Sequence, residues 1–186
     1  MYDETTLRDL AGWKPIPPTD EVAALTAARS LVKHITRVVG VAAFVNQGSY
    51  ENFTPAYVYL PANVSRHQSG DGHVRSSYEC LVLYFSHLVP LAALGTGSWG
   101  ETKDETGRVT ARGYSGLDTP DLLDIEQLPD SPMTERLIKA NAKSGYTIAS
   151  PAALLAPAPA WFEPLQRSEG APPWNRMFHL LFQFCD

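Results

Sequence analysis

Only two cysteines occur in the 186 residues, Cys80 and Cys185, far apart and each inside an apolar run. A disulfide-stapled scaffold is thereby excluded, and the absence of paired Cys or Cys–His spacings excludes a structural zinc module; buried free thiols are the expectation. Long apolar runs are missing too, none reaching the roughly eighteen uninterrupted residues of a membrane helix. Positive charge is scarce: Lys and Arg number 15 against 20 Asp and Glu, a net charge of −5. Nucleic acid and anionic membrane surfaces need clustered cations, so neither is expected as a partner. The first ten residues, MYDETTLRDL, are acidic and lack the basic-then-apolar pattern of a secretion signal, which makes the cytoplasm the expected location.

What is present suits one α+β domain over 1–186, long enough to bury about 70% of its unfolded surface. The stretch Ser77–Trp99 is the longest apolar run, rich in strand formers and broken at Pro90. It predicts two paired strands, 78–88 and 91–99, at the centre of a mainly antiparallel sheet, the first covered on both faces because it hardly alternates. Further strands are predicted at about 55–60, 108–114 and 176–185, with Asp104–Gly107 as the turn into 108–114. Residues 41–45 fit a strand or a helix end, and 146–149 a strand. Residues 1–18 read as a proline-broken arm pinned by Trp13 and Ile16. A long helix over about 20–39 follows from Val22, Leu25, Ala28, Val32, Ile35 and Val39 at spacings of three and four. Hydroxyl-then-proline starts predict shorter helices over about 120–128 and 132–144 and another at Ser150-Pro151. Residues 62–76 are polar and glycine-containing and read as a loop.

The catalytic-looking motifs fail on context. Gly95-Thr-Gly-Ser-Trp-Gly100 has G-x-G-x-x-G spacing, but Glu101–Glu105 cannot open an amphipathic helix and would repel phosphate, so a glycine-rich strand is the reading. Gly113-Tyr-Ser115-Gly116 lacks the closing glycine of a nucleophile elbow, since Leu117 stands there. His67, Asp71 and His73 bring suitable metal ligands into one segment but lack a spacing that would fix them. His87 and His179, in apolar segments, read as hydrogen-bonded core-edge histidines. No catalytic residue and no cofactor is assigned.

Charge distribution is more informative. Between 101 and 135 stand nine acids against Lys103, Arg108 and Arg112, a local charge of −6. Such a segment steers a basic partner and speeds encounter. The run Leu81–Gly95 (LVLYFSHLVPLAALG), with the closing Leu180–Asp186 (LLFQFCD), resembles small bacterial proteins of the toxin-immunity type. That resemblance implies a single-domain cytosolic protein that neutralises a toxin by covering its active site. The expectation is therefore a non-enzymatic inhibitor meeting a basic protein through Glu101, Asp104, Glu105, Asp118, Asp121, Asp124 and Glu126, anchored by Trp99 or Tyr114. The alternative is a small metal-dependent hydrolase, or a small-molecule-binding module, using 62–76.

Overall fold

A computed structural model describes residues 2–46, 51–70, 72–163 and 174–183. The first helix, α1 (Glu4–Ala11), is capped by Asp3, whose carboxylate accepts the Thr6 N–H. It occupies part of what reads in sequence as an irregular arm. Trp13 and Ile16 pin that arm as expected: the Trp13 indole donates to Gln183 Oε1 at 3.2 Å and the Ile16 N–H to the Leu88 carbonyl at 2.8 Å. The long helix α2 (Glu21–Ile35) starts on an Asp20 cap and buries Ala24, Ala27, Ala28, Leu31 and Ile35 along one face. It ends a turn short of the predicted 39, and the chain turns at Gly40, φ 80°.

Five antiparallel strands then run in sequence order: β1 (Ala42–Val45), β2 (Phe53–Gln68), β3 (Val74–Ser86), β4 (Leu91–Lys103) and β5 (Val109–Tyr114). A short β6 (Thr147–Ile148) joins parallel to the start of β4, completing six strands in an α+β fold. Central strands β3 and β4 are the pair predicted around the 87–90 bend. Residues 62–76 correct the sequence reading. Residues 62–68 and 74–76 are not loop but the outer arms of the β2–β3 hairpin, in register from Val64↔Tyr78 to Gln68↔Val74 after a bulge. Ladder hydrogen bonds hold these polar residues extended, although most of the β2 arm is exposed.

Each face of β3 has its own core. One face carries Tyr57, Cys80, Val82, Tyr84 and Ala93 against Leu10 of α1 and the C-terminal Phe178, Leu181 and Phe182. The other carries Ala56, Val58, Leu83, Phe85, Ala92 and Leu94 under α2 and α3 (Pro132–Ala142). The predicted strand 176–185 is in fact a helix, α5 (Met177–Leu181), following the short α4 (Pro151–Leu155). Phe178, Leu181 and Phe182 stand at i, i+3 and i+4, so one helical turn turns all three into the core; Phe178 and Phe182 stack at 5.3 Å. Cys185 lies outside the described residues. The predicted helix 120–128 is replaced by two 3₁₀ turns, Thr119–Asp121 and Ile125–Gln127. Between them the backbone is committed to the sheet, because Leu122 bridges to Gly95 and the Leu123 N–H donates to the Leu94 carbonyl at 2.9 Å.

The sheet is strongly curled towards the first face. Phe44 on β1 and Tyr114 on β5 have ring centroids 5.7 Å apart, whereas four strand spacings in a flat sheet would separate them by about 19 Å. Tyr57, Tyr59, Tyr78 and Trp99 fill the space between, with Tyr78 and Trp99 stacked at 4.7 Å.

Candidate functional site

The acids predicted to form one docking face are dispersed by the fold. Asp104 and Glu105 sit at the tip of the β4–β5 hairpin, while Asp121 abuts Gly95. Eight residues of strand, about 26 Å, separate these two places. At the tip, the Asp104 carboxylate accepts from the Thr106 hydroxyl and N–H and the Arg108 N–H, and the Thr106 hydroxyl bond leads in holding its pKa below the usual range. Glu101 is held by Lys103 at 2.6 Å. Asp118, Asp121 and Asp124 each accept a backbone N–H at a 3₁₀ turn. Much of the acidic run is thus explained by local backbone demand. Trp99 and Tyr114 are half-buried inside the aromatic curl.

The motifs set aside in the sequence are also placed. Ser115 Oγ accepts the Ser98 N–H at 2.5 Å and donates to the Ser98 carbonyl, fastening the chain after β5 to β4. The three glycines of 95–100 lie in β4, where a Cβ on Gly95, Gly97 or Gly100 would come within 2.8 Å of a neighbour. His67 lies opposite Arg75 on the outer hairpin and His73 in its turn, where its carbonyl accepts the Ser69 N–H; Asp71 is outside the described residues. Among the described residues no three His, Cys, Asp or Glu side chains are grouped to hold a metal ion. Burial pushes the Cys80 thiol up to about 12, which keeps it protonated.

A groove of about 760 Å³ lies on the outer face of the sheet where the cover from α2 and α3 stops. Its apolar floor is Val58, Leu60, Leu81 and Met133. Glu79 and Asp121 stand at its rim with Asn63, Thr96 and Ser98, and among the described residues no Lys, Arg or His lines it. Glu79 is exposed. The chain matches no protein-family model, curated protein or solved structure. Function therefore has to be read from this geometry. Of the acids and aromatics expected to meet a partner, the groove contains Asp121 alone. Glu79 went unmarked because its importance comes from three strands and α3 meeting. A weak signal existed in Arg75-Ser-Ser-Tyr-Glu79, whose alternation puts Arg75, Ser77 and Glu79 on one exposed face.

Two histidines fall in the core margin as predicted. His87 Nε2 lies 2.9 Å from the Thr54 hydroxyl. His179, 3% exposed, accepts the Arg176 N–H on Nδ1 and leaves Nε2 with no hydrogen bond, 4.0 Å from Asp118 Oδ1. Burial lowers the pKa of both; Asp118 opposes this for His179, and Glu21 and Asp20 for His87. As pH falls, the unfolded chain takes up these protons first, near pH 6.5. Stability is therefore complete above about pH 6.5 and declines as pH drops through the folded-state values. The urea midpoint should be lower at about pH 5.5 than at about pH 7.5, and the difference should shrink in His179→Gln. An undiminished difference would mean that His179 is not one of the groups responsible.

Among the described residues no helix is long and apolar enough to cross a membrane.

Proposed function

We propose that the chain is a non-enzymatic, cytoplasmic protein-binding module of the toxin-immunity kind, which takes a basic segment of its partner into the outer groove. One observation carries this reading: an apolar floor of Val58, Leu60, Leu81 and Met133 lies beneath two carboxylates, Glu79 and Asp121, with no cation lining the groove among the described residues. Aliphatic stems of Lys or Arg pack on such a floor while their charged ends reach the rim. The acids at 118, 121, 124 and 126 add long-range attraction, in a stretch from 113 to 134 with no Lys, Arg or His. Inhibition then follows by cover, with the partner's cationic surface occupied.

Glu79 is the residue to change, because Asp118, Asp121 and Asp124 also cap turns and their loss would disturb the fold. The tagged chain is used to capture its partner from lysate at low and high salt, and the partner is then expressed with and without the chain. A basic partner that arrests growth alone and not with the chain is expected, with Glu79→Lys slowing association about tenfold at low salt. A partner that associates with both forms at one salt-independent rate, or whose toxicity is unrelieved, would overturn the reading.

A further inference from the structure

The acidic groove continues past Ser98 and Ser115 into a second depression of about 450 Å³ on the same outer face. Its charge is opposite. Arg75 lines it beside the hydroxyls of Ser77 and Thr102, and among the described residues no carboxylate does. Arg75 is exposed and forms no ion pair among the described residues. Arg112 borders the depression too, but it is paired with Glu101 and so starts from the other face of the sheet.

The floor between the two charged ends is bare backbone. Gly100 lies opposite Ser77 on one side and Gly113 on the other. Gly100 is required by the fold, since a Cβ there would sit 2.8 Å from the Ser76 carbonyl. Gly113 is not: a Cβ would meet nothing within 4 Å, and its φ is not left-handed. A glycine in a strand that neither packing nor backbone requires weakens the strand, and it suits a place where another backbone comes close.

We infer that the two depressions form one dipolar trough that binds an extended segment of the partner carrying a basic and an acidic residue four positions apart. This rests on the protein-binding reading above. Arg75 and Glu79 point to the same face of β3 four residues apart, a span of about 13 Å. An extended chain laid along β3 has the same rise, so its basic side chain meets Glu79 and Asp121 as its acidic one meets Arg75. Its backbone then passes beside Gly100, with Gly113 next to it on β5. A wholly basic segment would place a cation against Arg75, so the trough selects a charge pattern and not merely positive charge.

The test is an NMR titration of the full ¹⁵N-labelled chain with short capped peptides. One pair carries Lys and Asp four apart, in either order; one carries them adjacent; one has Asp replaced by Asn. A four-apart peptide should move the Gly100, Gly113 and Ser77 amides and bind about tenfold more tightly than the adjacent-charge peptide. Arg75→Glu should abolish that advantage, and replacing the peptide's Asp by Lys should restore it in the variant. Equal affinity for all peptides, with shifts only around Glu79, would overturn the dipolar trough and leave the basic-segment reading standing. Inorganic phosphate producing the same shifts at Gly100 and Gly113, and displacing the peptide, would reduce the second depression to a free-anion site. Binding of no peptide, together with an unaltered partner association rate in Glu79→Lys, would remove both.

Discussion

Tyr84→Ala is expected to lower the unfolding free energy by about 3–5 kcal/mol, much of what a domain of this size has. Tyr84 is 1% exposed, stacks on Phe53 at 4.0 Å between ring centroids and lies against Phe178 and Phe182. Removing the ring leaves a cavity between the sheet and the C-terminal helix that rigid strands cannot close. The hydroxyl has a separable part, since it accepts the buried Leu117 N–H at 2.7 Å. Tyr84→Phe keeps the ring and orphans that N–H, at a cost of about 1–3 kcal/mol. Urea unfolding of the three proteins measures both parts. A loss below about 2 kcal/mol in Tyr84→Ala would show that this ring does not hold α5 to the sheet.

Gly95→Ala should destabilise by about 1–3 kcal/mol, whereas Gly113→Ala should stabilise by about 0.5 kcal/mol. The same chemical change has opposite signs because the space differs. An alanine Cβ at Gly95 would lie 2.5 Å from the Asp121 carbonyl oxygen and 2.8 Å from Leu117, and the first of these is backbone that cannot swing aside. At Gly113 the Cβ enters open space, and the main effect is the smaller entropy of the unfolded chain. Thermal melts of the two variants decide the matter; a shift of the same sign in both would break the argument that Gly95 admits the 115–123 segment against β4. Stabilisation of Gly113→Ala together with weaker peptide binding would further separate the demands of the fold from those of the trough.

The sequence was most legible where one physical demand acted alone. Helix α2 is readable because Asp20 marks its start and Leu25, Ala28, Val32 and Ile35 keep one period; its end was read a turn too late because Gly40 lies beyond the Thr36 cap, where Val39 is exposed. The β3–β4 pair is readable because both faces of Val82–Phe85 are covered, which suppresses alternation. Phe178–Phe182 misled because aromatic density favours a strand while the spacing of three and four favours a helix, and packing against Tyr84 selects the latter. The outer hairpin was read as a loop because its polar residues carry no core pattern; only pairing with a neighbour keeps them extended. For the candidate site, the acids were visible but their employment was not. Asp104 and Asp118 look free in sequence and are hydrogen-bonded to nearby N–H groups. The groove itself has no sequence signature, because Leu60, Glu79, Ser98, Asp121 and Met133 come from separate elements.

The meeting of Phe44 with Tyr114 bears on how the chain reaches its native state. These residues are seventy positions apart, and their rings touch only when every strand between them is in register. The aromatic plug therefore cannot seed the sheet; its reward arrives after the loop-closure entropy has been spent. Sequence separation instead favours the hairpins as first contacts, since Gln68↔Val74, Phe85↔Ala92 and Lys103↔Val109 pair residues close along the chain. Closing the curl acts as a proofreading step: a one-residue slip in any strand sends its aromatic to the opposite face and leaves the plug incomplete.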